Sequence, residues 1–192
     1  MWNQSKITLK FDQSQRQFPI EVLNQWDTTE LEIIGGSFSY FPEDIGVLKN
    51  LEKISIVSTK INSIPKELFD LPSLKYINLK NNEITQLPKL FKRSKIHTLI
   101  LSRNKIETID NFFKYIDDLS TLDLGHNQIK AIPRDIASLN KLRRLILDSN
   151  KLRTLPFSLE QMPMLEHLSL ENNFFSTQEK LRIQSALNIS ID

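Results

Sequence analysis

The 192 residues include 25 basic and 23 acidic side chains, giving a net charge of +2, with 40% hydrophobic residues and no cysteine. That hydrophobic content excludes a disordered polyelectrolyte, and the balanced charge leaves no global field of the kind that gathers nucleic acid or anionic lipid. Without cysteine there is no disulfide framework, thiolate metal site or cysteine nucleophile, and no window approaches the roughly 20 apolar residues of a membrane span.

The chain opens with Met1-Trp2-Asn3-Gln4-Ser5-Lys6, which lacks the apolar run of a signal peptide. A secreted or cell-surface protein is expected if a leader has been trimmed, a cytoplasmic one if the chain is whole. Residues 1–27 read as a degenerate first repeat, with Ile7 and Leu9 in a strand, Phe18-Pro19 and Val22 in a return segment, and Trp2, Phe11 and Trp26 adding bulk as an end cap. Units then start near residues 28, 51, 74, 96, 119, 142 and 165. The clearest runs from Leu119 to Lys141 and fixes Leu119, Leu122, Leu124, Asn127, Ile129, Ile132-Pro133, Ile136 and Leu139. Thr28 and Gly36 replace the first leucine and the asparagine of the second unit, and Thr59 replaces the asparagine of the third. The fourth unit, 74–95, is one residue short and carries Leu87-Pro88 and Phe91 in register. Asp110 stands where the fifth would have proline, and Phe112 and Phe113 beside it imply local repacking or a convex bulge. After the last strand (Leu165, Leu168, Leu170, Asn173), Ser176-Thr-Gln-Glu179 has the form of a capping box. Leu181, Ile183, Ala186 and Leu187 follow at helical spacing, which predicts a closing helix, and Ile189-Ser-Ile191 reads as a further edge segment.

Within each unit the leucines two apart face one side of a short strand and the residues between them face the other. A constant period with connections in one direction stacks such strands in parallel. Asn82, Asn104, Asn127, Asn150 and Asn173 recur where the chain leaves the strand, and an amide there can satisfy both N–H and C=O groups that lose their sheet partners. Gly36 and Thr59 predict a looser turn and a less regular ladder in the N-terminal units.

The pattern LxxLxLxxNxIxxLPxxLxxLxx over units of 22 or 23 residues resembles the leucine-rich repeat family with LP at the turn. The closing Asn172-Asn-Phe-Phe-Ser-Thr-Gln-Glu-Lys-Leu-Arg-Ile-Gln184 is similar to the cap of spirochaete-type bacterial members. The resemblance implies a single α/β domain over 1–192. It is a curved, right-handed leucine-rich repeat solenoid with a parallel β-sheet on the concave face and short helical, 3-10 or extended segments on the convex face. Repeats cover 28–173, and 174–192 forms a capping helix. It also implies protein binding on the concave face. Two settings fit: a secreted or surface bacterial protein that contacts host proteins, and an intracellular scaffold or regulator of a signalling enzyme.

The concave side chains follow from the register: about eight strands at roughly 4.8 Å give a face about 34 Å wide. The candidate contact surface is Tyr76, Ile100 and Ile146 with Asn78, Lys80, Arg103, Asp123, His126, Arg144 and Asp148 around them, since interfaces favour aromatic and arginine anchors within a polar rim. A competing hydrolase would use Asp123 and His126 with Ser102 or Ser149; the open face and the absence of an implied oxyanion hole argue for a non-enzymatic protein. His97, His126 and His167 fall at different places of separate units and do not converge on a metal, so at most a weak zinc contact between molecules is expected. Neither cofactor nor nucleic acid is expected, the basic clusters at 89–95 and 141–144 reading as solvated faces; a monomer is.

Overall fold

The computed structural model describes residues 5–187. Eight strands lie in one sheet in chain order, every neighbouring pair parallel: β1 (Lys6–Phe11), β2 (Glu30–Gly35), β3 (Lys53–Val57), β4 (Tyr76–Asn78), β5 (Thr98–Ile100), β6 (Thr121–Asp123), β7 (Arg144–Ile146) and β8 (His167–Ser169). The register carries the repeat through the sheet: Leu31 stands beside Ile54, Ile77, Leu99, Leu122, Leu145 and Leu168 in one inward line. Leu79, Leu101, Leu124 and Leu147 are fully buried behind it. Each coil buries its leucines against the coils on either side, so the core is a column rather than a sphere.

Return segments form 3-10 helices at Ile20–Asn24, Glu43–Val47, Lys66–Leu68, Phe113–Tyr115, Arg134–Ser138 and Phe157–Gln161. Pro42, Pro65, Pro133 and Pro156 each precede one of them with φ between −70° and −68° and extended ψ. The missing donor of proline costs nothing at that entry. One apolar residue of each return helix, such as Ile45, Leu68, Ile136 or Leu159, closes the far side of the core.

The asparagines form the anticipated ladder. Asn127 Nδ2 donates to the carbonyls of Leu124 at 2.9 Å and Gly125 at 3.3 Å in its own coil, and to Leu101 at 3.0 Å in the coil before. Its Oδ1 accepts the Ile106 N–H at 3.0 Å. Asn104, Asn150 and Asn173 repeat the scheme toward Ile84, Ile129 and Leu152. The residue just before the asparagine takes a left-handed φ in every such coil, at Asn81, Arg103, His126, Ser149 and Asn172, and already at Ser58.

Three expectations about buried apolar residues needed correction. Phe91 is not core: it is 65% exposed, and Leu90 is buried in its place, because the missing residue shifts the frame after Pro88. That short coil forms no return helix, and Phe112 from the next coil fills the gap, meeting Phe69 of the coil before at 5.4 Å, edge to face. The aromatic pair beside Asp110 is therefore a filler for the neighbouring deletion, with Phe112 and Phe113 both buried. At the N-terminal end Phe18 stacks on Phe41 at 5.8 Å and meets Phe38 edge-on, while Trp26 is 70% exposed and caps nothing. The closing helix, α1 (Thr177–Leu187), is present, but Ile183 is buried and Leu187 packs on the core while Leu181 is 62% exposed and Ala186 faces water. Of its apolar residues, only the i, i+4 pair Ile183 and Leu187 faces the coil below.

Half of the capping box forms. The Glu179 N–H donates to Ser176 Oγ at 3.1 Å, but the Glu179 carboxylate accepts from the Leu155 N–H at 2.9 Å and from Arg182 at 2.7 Å instead of returning to Ser176. Arg182 also donates to the Leu155 carbonyl and pairs with Glu160, which ties α1 to the last full coil. Trp2 and Ile189-Ser-Ile191 lie outside the described residues. No helix among them is long and apolar enough to cross a membrane.

Candidate protein-binding surface

The outward faces of the strands carry two aligned lines of side chains. One runs Lys6, Glu30, Lys53, Tyr76, Thr98, Thr121, Arg144, His167; the parallel line passes through Asn78, Ile100, Asp123 and Ile146. Cross-strand neighbours in such a sheet sit about 4.8 Å apart, so Tyr76, Ile100, Asp123, Arg144 and Ile146 form one continuous patch. No described segment crosses it. Lys80, Arg103, His126 and Asp148 continue past the strand ends, and the left-handed backbone at Arg103 and His126 keeps those two side chains exposed at the rim.

The ten candidate residues differ in how far they are already engaged. Asn78 Oδ1 accepts the Lys80 N–H at 3.1 Å, and its Nδ2 donates to Ser55 Oγ at 3.2 Å. Asp123 Oδ1 accepts the Gly125 N–H at 3.0 Å, and Asp148 Oδ1 accepts from Ser169 Oγ at 2.6 Å and from the Glu171 N–H at 2.9 Å. These three side chains are fixed by local bonds and present a rigid polar edge. Lys80, Arg103 and Arg144, by contrast, enter no ion pair with any described residue, so their charges face outward unmatched.

Sequence reasoning missed how the N-terminal coils frame Tyr76. Lys53 Nζ stands 5.2 Å from the centre of the Tyr76 ring. Lys6 and Glu30 pair at 3.5 Å, and with Glu32, Ser55 and Asn78 they line a depression of 140 Å³ against the phenol. Burial, and secondarily the charge of Glu32, push the Tyr76 hydroxyl above its ordinary pKa, so it stays a neutral donor. The alternation in 4–27 could have placed β1, and with it Lys6 and Thr8, on this face.

The residues of the hydrolase reading do not assemble. His126 forms no side-chain hydrogen bond to Asp123, Ser102 or Ser149, the Asp123 oxygen is engaged by Gly125, and Ser102 is buried with its hydroxyl unpaired. No group of His, Cys, Asp and Glu among the described residues is arranged to hold a metal ion.

Comparisons with known proteins agree with this architecture. The family described as Leucine rich repeat matches residues 49–106, 94–152 and 117–175. A leucine-rich repeat protein of Leptospira interrogans superposes with a TM-score of 0.77 at 31% identity, over 92% of this chain and 52% of that one. An internalin of Listeria monocytogenes gives 0.75 at 22% identity, over 92% and 51%. The plant peptide hormone receptor RGFR1 in complex with RGF2 gives 0.68 at 19%, over 88% and 31%. The chain thus spans about half the length of the two bacterial structures. Among curated proteins none matches. With the matched repeats covering residues 49–175, the chain belongs to the leucine-rich repeat family.

Proposed function

We propose that the chain is a non-enzymatic protein-binding module that takes its partner on the strand face. Tyr76, Ile100 and Ile146 act as apolar anchors, Arg103, His126, Arg144 and Lys80 as adaptable polar contacts, and Asn78, Asp123 and Asp148 as a fixed edge. The observation that carries the reading is the uncovered face itself. Its side chains stand in register on strands backed by a fully buried column, so the surface is preorganised and little ordering cost falls on binding. Half-buried apolar side chains among unmatched cations are the composition that interfaces favour.

The proposal extends to setting: an exported bacterial protein that meets host proteins. Its support is the spirochaete-type closing segment and the 31% identity with the Leptospira protein. Detection on intact cells or in culture supernatant tests that part by itself.

The binding part is tested with a Tyr76→Ala, Ile100→Ala, Arg144→Ala variant in unbiased affinity capture. Loss of the captured partner is expected, with the unfolding midpoint nearly unchanged because these positions lie outside the core. Full retention of the partner refutes the assignment of this face.

A further inference from the structure

Past the asparagine turn, the loop edge carries cations that are answered by carboxylates one coil earlier: Lys105 pairs with Glu83 at 3.0 Å, and Lys130 with Glu107 at 2.9 Å. The pattern breaks toward the C-terminus. Lys151 meets the neutral Gln128 Oε1 at 2.9 Å where a carboxylate would continue the series. Arg153, at the repeat place of Lys130 one coil on, enters no ion pair with any described residue. At the repeat place of Lys151, the next coil offers Phe174, 65% exposed. Its backbone is fixed by its N–H to the Leu152 carbonyl at 2.8 Å and by the neighbouring Asn173 rung. Lys130, Lys151, Arg153 and Phe174 line a depression of 350 Å³. The positive field reaches Glu107, whose carboxyl is held low first by the hydrogen bond and charge of Lys130 and further by Lys151.

Like charges on adjacent coils repel, and an aromatic ring held open to water gains nothing from solvent. Both unfavourable features are relieved by one kind of ligand, carboxylates beside a hydrophobic side chain. We propose that this depression binds an acidic peptide segment bearing an aromatic residue, its carboxylates on Lys130, Lys151 and Arg153 and its ring on Phe174. The site begins two residues past Ser149, at the border of the strand face, so one protein partner can reach both surfaces. The proposal thus deepens the protein-binding reading by naming a partner chemistry. A lone aromatic beside three cations does not form the row of stacking platforms that single-stranded nucleic acid uses.

The test is isothermal titration calorimetry of the full chain with a short capped peptide of glutamates interrupted by phenylalanine. Saturable, salt-weakened binding is expected. A Lys130→Glu, Lys151→Glu, Arg153→Glu variant should weaken it by at least about tenfold, and Phe174→Ala by about three- to tenfold. The strand-face triple variant should leave it unchanged, which separates failure here from failure of the strand-face assignment. No saturable binding, equal binding of a glutamate peptide without phenylalanine, tighter binding of single-stranded DNA, or insensitivity to the charge reversal would each overturn the proposal. Circular dichroism checks that the variants stay folded, which exposed substitutions should permit.

Discussion

The first three coils and the last five solve one problem in different ways. From β4 onward each strand is three residues long and the chain leaves it at once, because an asparagine amide collects the carbonyls and the N–H that the sheet drops. In β1 and β2, where no asparagine is available, the strands run six residues; β1 exits through Asp12, whose Oδ1 accepts the Ser14 N–H at 2.8 Å, and β2 through Gly35 and Gly36, at φ of +81° and +99°. A Cβ on Gly35 would lie 2.1 Å from the Phe11 carbonyl oxygen, so the glycine is required by a close backbone approach as well as by φ. Coil three is the transition: the Thr59 hydroxyl accepts the Ile61 N–H at 3.4 Å and donates to Asn82 Oδ1, relaying the rung that an asparagine would make directly. The expected looser N-terminal turn is thus a longer sheet with a different exit. The comparison teaches that backbone polar groups must be satisfied at every coil, and that the side chain on hand decides whether sheet or ladder does it.

The two solutions can be weighed against each other by mutation. Asn127→Ala strips partners from several buried backbone groups and should destabilise by about 3 kcal/mol or more, read from the denaturant midpoint. Thr59→Val breaks only the relay and should cost about 1–2 kcal/mol; an equal or greater loss at Thr59 would show that the N-terminal coils depend on the ladder after all. Next in size is the C-terminal cap. Arg182 holds the Glu179 carboxyl below the ordinary carboxylate range, so this contribution to stability is full above the unfolded pKa and is lost as pH falls through the lower, folded one. Hydrogen exchange in the last coils should rise on acidification through that window, and a Glu179→Gln variant should show weaker protection at neutral pH without that pH step. The smallest effect concerns the left-handed residues. His126→Gly relieves a strained φ but frees the unfolded chain, so stability should rise by less than about 1 kcal/mol. A clear loss there would mean that the His126 side chain supports the fold.

The sequence by itself determined everything that repeats. Leu122 and Leu124 inward, Thr121 and Asp123 outward, and Asn127 at the turn follow from spacing alone, because each coil meets only near-copies of itself and local pattern equals tertiary environment. The lines through Tyr76, Ile100 and Arg144 were legible for the same reason, whereas their role rests on a partner that no register encodes. What only the tertiary structure decided lies where the repeat fails. Leu90 replaces Phe91, Phe112 reaches across a short coil to Phe69, Trp26 and Leu181 turn outward, and Lys151 finds glutamine where its neighbours find carboxylates. At those places a side chain's surroundings come from a coil of different length or sequence, and burial or pairing is settled by the shape of the space left over, which no position in the pattern carries.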